Sequence, residues 1–508
     1  MAFNYPVTFF AMPTIIPTDR SQLTFMTSLD DMVAPDHPVR LIDALVDKII
    51  ALDTEYFDHL APQSSVGRRG YSAAALIKLY MYGYIHRVNS SRKLQAEATR
   101  NIEVIWLLSG LKPSYKTIAD YRRDYPEQIR RVNEQIVRFL ADNGWINGER
   151  IGMDGTKLKA YTGWDMLDEK DLDKRLSKAR GELEDWLGEL IANDLADELD
   201  EPDPDEGQPG DDPGLMDRIA RLREKIERLE ELKDELARQG ATRISPADPD
   251  ARLMRSARMG THPAYNLQIS VDSANKMIVA ASATDHPTDF EQLIPMFWSS
   301  ASLLGKIPGE VLADTGYADL ADIKTIEEQT TATCYIPENN TSVKNRPIQF
   351  TYHPEQDQYE CSQGQPLVPK AKRRFHKDKQ AYADIYQGTR CTACPVAGVC
   401  TSAKSGIRQL RVFHGVEWRH AYAKRMAGRY AKQRVGERKG LVEHVFGTLR
   451  YWMGQIPVKL RGLRNVQTDM DLYSGAYNIK RWTSMDKSFK GLMDEVIGWN
   501  PAPSLHPG

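Results

Sequence analysis

The stretch Arg150–Lys159, RIGMDGTKLK, decides how the rest of the chain is interpreted. A short apolar segment leads to Asp154, which is followed by a glycine. Lys157 and Lys159 come next at alternate positions, as they would on one face of a strand. The pattern predicts a strand that displays an acid. Taken alone, this acid is better explained as a carboxylate that caps a turn beside Gly155, so a catalytic interpretation needs partner acids elsewhere in the chain.

Two candidate partner acids follow. Residues 310–317, EVLADTGY, repeat the pattern: a brief buried strand delivers Asp314 to its carboxyl end, with a glycine just beyond. Glu443 lies instead in residues 440–450, GLVEHVFGTLR, which have helical character. The fold of the rest of the chain decides whether these acids meet Asp154.

The length and charge of the chain indicate several domains with different surfaces. At 508 residues the chain is long enough for two or three domains. Its net charge of −3 conceals a segregation of sign: residues 165–239 hold 26 acidic and 12 basic side chains, whereas residues 406–464 hold 3 acidic and 14 basic ones. The second segment predicts a basic surface.

The cysteine content and the hydropathy indicate the compartment. Five cysteines are too few and too clustered for a secreted disulfide scaffold, and they favour a reducing compartment. No run of about 18 apolar residues is present, and residues 1–17 lack the basic start of a signal peptide. The sequence therefore predicts a soluble, cytosolic protein with no membrane partner.

Residues 1–145 are predicted to form an all-helical domain, because apolar residues recur there at three- and four-residue steps. Its many cations, with Arg122 and Arg123 among them, favour DNA binding, and residues 114–123 are a candidate recognition helix. A solvated helix surface explains the same charges equally well.

Residues 166–249 are predicted to interrupt the catalytic domain. Apolar residues keep a heptad-like spacing on either side of residues 201–210, EPDPDEGQPG, whose prolines exclude a helix. We expect two antiparallel helices with an acidic, disordered tip. Because so acidic a surface would repel DNA, its expected role is structural or protein-contacting.

The predicted catalytic core comprises residues 146–165 and 250–335. After the strand of Asp154 come two strands joined by a tight turn, then a helix, then the strand that ends at Asp314. Strand, insertion, strand, strand, helix, strand is the order of an RNase H-like fold, in which acids on the first and fourth strands lie side by side and a later helix supplies a third. Asp272 competes with Asp314, but it falls at a hairpin end, where an acid is commonplace.

A cysteine cluster lies within residues 336–405. It has the pattern C-x29-C-x2-C-x5-C and consists of Cys361, Cys391, Cys394 and Cys400. Four thiolates can close a tetrahedral structural zinc site, with no open position for catalysis. A metal-free cluster explains the same spacing. Cys334, in an apparent strand, is expected to be a core residue.

Residues 406–485 are predicted to form a basic helical region that leads directly to Glu443 and completes the catalytic core. A carboxylate embedded in so much positive charge is typical of a site that cleaves a polyanion. A basic solvated helix with one acid is the alternative. Residues 486–508 are interpreted as a C-terminal tail.

Several segments together resemble the DDE transposases of bacterial insertion sequences. Residues 438–454, RKGLVEHVFGTLRYWMG, closely resemble that family. The resemblance extends, in chain order, to residues 100–108, 153–157, 265–268, 313–317, 460–463 and 476–481. The predicted fold class is therefore α/β, with an RNase H-like mixed-sheet catalytic core, an N-terminal all-helical domain, an inserted helical hairpin and a small cysteine-rich insertion.

The resemblance implies which residues are catalytic. The triad of two aspartates and a glutamate falls on Asp154, Asp314 and Glu443. Many relatives also carry tyrosine, arginine and lysine in the spacing Y-x2-R-x3-E-x6-K around the glutamate, where this sequence has Gly436, Lys439 and Arg450. The positive charge is kept at two of these three places, and the tyrosine is absent.

The charge of the triad implies a metal-dependent reaction. Three converging carboxylates would repel one another, so the site is expected to bind two divalent cations, Mg²⁺ or Mn²⁺, about 3.5–4 Å apart. One cation would activate water or a 3′-hydroxyl, and the other would stabilise the leaving oxygen of an in-line displacement at phosphorus. Asp154 is the candidate for the shared ligand. Four cations are expected to hold flanking phosphates, namely Lys157, Lys159, Lys439 and Arg450.

The implied function is that of a DNA transposase in the bacterial cytoplasm, associated with the nucleoid. It would bind terminal inverted repeats, cut to expose 3′-hydroxyl ends and join those ends to target DNA. Because two ends must be paired, a homodimer or a larger assembly is expected on DNA. Two alternatives stay open: a transposase-derived DNA-binding protein that no longer cuts, and a metal-dependent DNA nuclease without strand transfer.

Overall fold

The structure is a computed structural model that describes residues 28–58, 70–199, 213–256, 260–338, 348–376, 381–413, 416–454, 460–485 and 487–501. These residues form an N-terminal helical unit, a mixed sheet, a helical hairpin, a second sheet and a set of C-terminal helices. The predicted acidic tip at residues 201–210 and the amino-terminal residues 1–17 lie outside the described residues.

The N-terminal unit is helical in its described residues, as predicted. Its helices are Val39–Leu52 (α1), Thr54–Asp58 (α2), Ala73–Ile85 (α3), Ser91–Arg100 (α4), Ile102–Leu107 (α5), Tyr115–Asp124 (α6) and Pro126–Asp142 (α7). Serine caps begin two of them, because the Ser72 hydroxyl accepts from the Ala75 amide at 3.2 Å and the Ser114 hydroxyl accepts from the Thr117 amide at 3.1 Å. The candidate recognition helix, predicted at residues 114–123, corresponds to α6.

The first sheet is mixed. Its strands are Arg150–Lys159 (β1), Arg252–Ser256 (β2), Gly260–Asp272 (β3), Ile278–Thr284 (β4), Glu310–Leu312 (β5) and Thr333–Tyr335 (β6). β1 is central, antiparallel to β3 on one side and parallel to β5 on the other, and β6 lies parallel beyond β5. Both β4 and β2 pair with the far edge of β3. The order β4, β3, β1, β5, β6, with β3 alone reversed, confirms the predicted RNase H-like core.

The insertion after β1 forms two long helices, Glu169–Leu199 (α8) and Pro213–Arg238 (α9). They run antiparallel, because Lys233 of α9 pairs with Asp173 near the start of α8. The base of the pair encloses a small apolar core of its own, formed by Leu167, Leu172, Leu176, Leu229, Leu232, Leu236 and Ile244. Heptad spacing thus predicted this hairpin correctly, since each helix can bury its leucines only against the other.

Two helices, Leu293–Leu304 (α10) and Leu320–Gln329 (α11), flank β5 in the chain. A second sheet follows β6 and precedes the C-terminal helices. Its strands are Phe350–His353 (β7), Gln358–Cys361 (β8), Pro366–His376 (β9), Ala381–Gly388 (β10) and Gln409–Phe413 (β11), all antiparallel and paired in sequence order. The short helix Ala397–Cys400 (α12) precedes β11. This sheet was not predicted, because strands such as β8 are too short for a clear alternation of apolar and polar residues.

The C-terminal helices complete the core. They are Val416–Ala427 (α13), Arg429–Gly447 (α14), Leu463–Thr483 (α15) and Phe489–Gly498 (α16), with a π-helical turn at Thr448–Trp452 after α14. α15 joins the helical unit to the sheet: Asn478 exchanges hydrogen bonds of 2.9 and 2.8 Å with the backbone of Ile278, and Asp469 accepts from the Tyr84 hydroxyl of α3. One hydrophobic core therefore runs from the N-terminal helices through the sheet. In the described ranges no helix combines the length and the apolar character needed to cross a membrane.

Asp471 of α15 is an acid buried in this core. It is 4% exposed, accepts from the Gln467 amide at 3.0 Å, and lies 3.9 Å from the Arg130 guanidinium. Burial raises its pKa to about 7, and Arg130 opposes that rise only in part. An acid whose pKa is raised in the folded state destabilises the fold as the pH rises from its unfolded value through about 7.

We predict that Asp471→Asn removes this pH dependence. Between pH 5 and pH 8 the variant should gain about 2–3 kcal/mol of unfolding free energy relative to the wild type, because only the wild type must ionise a buried acid. Denaturant unfolding at both pH values measures the difference. Asp494→Asn, at an exposed position of α16, is the control and should leave the pH dependence unchanged.

Candidate active site

The parallel pairing of β1 with β5 brings two of the predicted catalytic acids together. Gly152 lies opposite Leu312 at the end of the pairing, so Asp154 and Asp314 follow at the same level. Asp154 accepts from the Gly155 amide at 3.0 Å. Asp314 caps the short 3-10 turn that follows β5 and accepts from the Gly316 amide at 2.7 Å. Each carboxylate is therefore held beside its own glycine.

The electrostatics of Asp154 reflect this convergence. Burial raises the pKa of Asp154 to about 6, the cation of Arg438 opposes the rise, and the nearby charge of Asp314 adds to it. Two carboxylates thus share a half-buried place with a single cation between the strands and the helix. Such an acid pair has the chemistry to hold a divalent cation.

Arg438 of α14 is the cation at this site. Its guanidinium Nη1 lies 2.9 Å from Asp154 Oδ2, and the residue is only 9% exposed. The helix comes this close because a glycine lies beneath it: a Cβ on Gly152 would stand 3.3 Å from the Leu441 side chain. Lys439, the next residue and one of the predicted phosphate-binding cations, is exposed. Arg438 could have been found from the apolar stripe, since Leu441 follows it at a three-residue step.

Glu443, the third predicted acid, is not brought to the pair. It is exposed, and it stands five residues after Arg438, about 140° round α14 from the side chain that contacts Asp154. In the part of the chain that the structure describes, no group of three or more His, Cys, Asp or Glu side chains is arranged to hold a metal ion. The role of Glu443 as a ligand therefore stays a prediction.

A polar network that the sequence analysis missed lies beside the two aspartates. Asp289, in the loop between β4 and α10, accepts from the amides of Asn266 and Gln268, and Gln268 accepts from the Tyr317 hydroxyl. Asn266 and Gln268 are fully buried on β3. Amides at alternate positions of a buried strand were the available signal, because buried polar groups need partners.

Asp272, the competitor of Asp314, has a structural role. It is fully buried and accepts from the amides of Gly148 and Ala274, at 3.0 and 2.9 Å. It therefore closes the turn between β3 and β4 and ties it to the start of β1, in agreement with the preference for Asp314.

The predicted phosphate-binding cations lie in different settings. Arg122 is partly buried: its guanidinium donates to the Tyr84 hydroxyl at 3.1 Å and lies over the Tyr80 ring, and its role in DNA binding stays a prediction. Arg123 is exposed and pairs with Asp120 and Asp124. The other four are at or near the surface: Lys157, which donates to the Arg255 carbonyl at 3.1 Å, Lys159, Lys439, and Arg450, which lies over the Phe446 ring.

The four clustered cysteines line one pocket, although the structure does not arrange them to hold a metal ion. Cys361, at the end of β8, lines it together with Cys391, Cys394 and Cys400, and Cys334 is buried elsewhere in the core, as predicted. Burial raises the pKa of the Cys400 thiol, Arg408 opposes this, and the other three thiols reinforce it. All four are free thiols. They line the same pocket although the sequence separates them by up to 39 positions, because β8 and β10, the strand that precedes the other three cysteines, belong to the same sheet.

Two family models match the chain. Residues 360–483 match the Transposase DDE domain, and residues 27–124 match a Transposase domain (DUF772). The first match runs from β8 to the end of α15 and includes Glu443, and the second covers α1 to α6. Together they support a DDE transposase of the insertion-sequence type.

Comparisons with individual proteins add little. No curated protein matches the chain. Among solved structures, the cryo-EM structure of the piggyBac transposase synaptic complex with hairpin DNA matches at 10% sequence identity, over 90% of this chain and 79% of that chain, with a TM-score of 0.26. A likeness this weak carries no argument about the fold.

Zinc in the cysteine cluster stays a prediction that can be measured. Protein purified without chelator should contain about one zinc per chain, and Cys394→Ser should lower that content, because four thiolates complete a structural site and three do not. Elemental analysis of the folded protein gives the ratio. Cys334→Ala is the control, since Cys334 is outside the pocket. A zinc content well below one per chain in the wild type would leave the metal-free cluster as the correct interpretation.

Proposed function

We propose that this chain, which carries the domains of a DDE transposase of the insertion-sequence type, cleaves DNA at the ends of its own element and joins those ends to target DNA. The observation that carries the proposal is the placement of Asp154 and Asp314 at the same level of neighbouring parallel strands in an RNase H-like sheet. The substrate is the phosphodiester backbone, and the basic composition of residues 406–464 suits a polyanion.

Asp154 and Asp314 are the residues that would hold a divalent cation. Their donor set fits Mg²⁺ or Mn²⁺, because both contribute hard carboxylate oxygens and the burial of Asp154 makes an unpaired charge there costly. Such a cation supplies Lewis-acid activation of the attacking oxygen and stabilises the charge on the leaving oxygen.

Arg438 and Glu443 would occupy the position beside Asp154 one after the other. Arg438 pairs with Asp154 at 2.9 Å and offsets its charge. Both side chains project from α14, about 140° apart, so Glu443 can join the two aspartates only if α14 turns or shifts and Arg438 leaves Asp154. We propose that this exchange accompanies DNA binding and frees Arg438 to contact a phosphate.

The DNA-binding surface would use cations that face solvent near the sheet. Lys159 lies at the exposed end of β1, and Lys439 is exposed on α14 next to Arg438. Contacts from such residues contribute affinity and register more than sequence choice. The α6 helix of the N-terminal unit is proposed to contact the inverted repeats, and pairing of two ends calls for a homodimer or a larger assembly on DNA.

We predict that cleavage requires Asp154. Asp154→Asn should slow cleavage by at least about a thousandfold and leave DNA binding within about twofold, because it removes a cation ligand but little phosphate contact. The assay follows magnesium-dependent cuts in DNA that carries the sequences flanking the gene. Glu149→Gln, an exposed acid just before β1, is the matched control. An Asp154→Asn protein that still cuts would refute the assignment.

A second prediction separates the acids of α14. Glu443→Gln should abolish cleavage as Asp154→Asn does, whereas Glu437→Gln should retain most of it, because Glu437 is engaged with Arg150 and Arg434. The same assay also tests the alternatives. Tight binding without cuts under Mg²⁺ and Mn²⁺ would favour a DNA-binding derivative, and cuts without covalent joining to target DNA would favour a nuclease.

A further inference from the structure

Asp289 lies where two glycines leave room for it. A Cβ on Gly155 would stand 2.1 Å from Asp289 Oδ1, and a Cβ on Gly316 would stand 3.1 Å from Asp289 Oδ2. These are the glycines that follow Asp154 directly and Asp314 at two residues. One carboxylate therefore occupies the space beside both predicted catalytic aspartates, and a side chain at Gly155 would displace it.

The contacts of Asp289 fix the orientation of a buried amide. Its Oδ1 accepts from Asn266 Nδ2 at 2.9 Å and from Gln268 Nε2 at 2.7 Å. Because the amino group of Gln268 points to this carboxylate, its carbonyl oxygen faces away and accepts from the Tyr317 hydroxyl. Gln268 is paired with Gly155 in the register of β3 and β1, so the amide lies next to Asp154 in the sheet.

Tyr317 completes the link to Asp314. It ends the 3-10 turn that Asp314 begins, and it is only 1% exposed. Burial, followed by the charges of Asp289, Asp154 and Asp314, holds the pKa of its hydroxyl well above the ordinary value. A continuous path of hydrogen bonds thus runs from Asp289 through Gln268 to the turn of Asp314.

Asp289 acts from the opposite side of β1 to Arg438. Successive residues of a strand face opposite sides, so Asp154 faces the helix α14 while Gly155 faces Asp289. The position of Asp154 is therefore constrained from both sides of the sheet, by Arg438 on one side and by the Asp289 network on the other.

We propose that Asp289 is a positioning residue, which sets the separation of Asp154 and Asp314 through Gln268 and Tyr317 and thereby their affinity for a divalent cation. This inference rests on the proposed function of that pair. It gives the two glycines a common purpose, since both leave space for the same carboxylate. It also assigns a role to the buried amide of β3 that the reaction itself does not use.

The test is a Mn²⁺ titration of the full-length protein without DNA, followed by calorimetry, together with the cleavage assay. Asp289→Ala should raise the Mn²⁺ concentration needed for half-saturation by about 10–100-fold, the range typical of lost outer-shell contacts, and should leave DNA binding unchanged. Asp289→Asn should recover much of the affinity, because its oxygen can still accept from Gln268. Glu291→Gln, an exposed position two residues away, is the control.

A double variant distinguishes positioning from general loss of stability. Tyr317→Phe removes the hydroxyl at the far end of the path, so it should weaken Mn²⁺ binding in the same direction. Combining it with Asp289→Ala should cost little more than the worse single variant, because both break one path. Additive losses, or an Asp289→Ala protein whose half-saturation stays within about twofold of the wild type, would overturn the proposal.

The titration also separates this inference from the proposed function. If the wild type binds Mn²⁺ but cuts no DNA, the transposase proposal fails, while the effect of Asp289→Ala on Mn²⁺ still decides the role of Asp289. If the wild type binds no Mn²⁺ with Asp154 intact, the positioning role is overturned.

Discussion

The parallel contact between β1 and β5 is the constraint on which the site depends. Only three residue pairs form it, and the last of them, Gly152 with Leu312, puts Asp154 and Asp314 at one level without any loop to bring them together. The same contact places two like charges in a half-buried space, where burial already raises the pKa of Asp154 to about 6. The fold therefore carries an electrostatic cost at this point, and the ion pair between Arg438 and Asp154 offsets it.

Two glycines, as much as the acids, determine the shape of the site. Gly152 lets α14 approach β1 closely enough for Arg438 to reach Asp154, and Gly155 leaves the opposite face open for Asp289. A side chain at either position would separate the layers and so change the distance between the acids and their partners. The sequence Asp154-Gly155 thus satisfies packing on two faces of one strand. A turn is not needed to explain it, because residues 150–159 form a continuous strand.

The sequence predicted the framework of this site better than its interior. Strand order and the choice of Asp314 over Asp272 followed from alternation and from the position of each acid relative to a turn, which are local properties. The inward turn of Arg122 was not predictable, because a basic helix looks the same whether a cation meets solvent or a buried tyrosine such as Tyr84. The contact between Arg438 and Asp154 was not predicted, because the side of α14 that faces the sheet is set by packing and not by the spacing of a motif. Asp289 lies in a loop, where no periodicity marks its contacts.

The position of Glu443 follows from the same electrostatics. A helix can present either Arg438 or Glu443 to the aspartates in one orientation, since the two are about 140° apart. Without a cation from solution, a third carboxylate would add repulsion to a pair that is already costly, so the arginine is the favoured neighbour. Under the proposed function, divalent cations would supply the positive charge that Arg438 supplies in this structure, and Glu443 would then be an acceptable neighbour of the aspartates. The basic segment 406–464 would favour this exchange on DNA, where a phosphate could pair with Arg438. The pairing of Arg438 with Asp154 is therefore the arrangement that the charges of this helix and sheet favour, and α14 is the element that sets which side chain faces the aspartates.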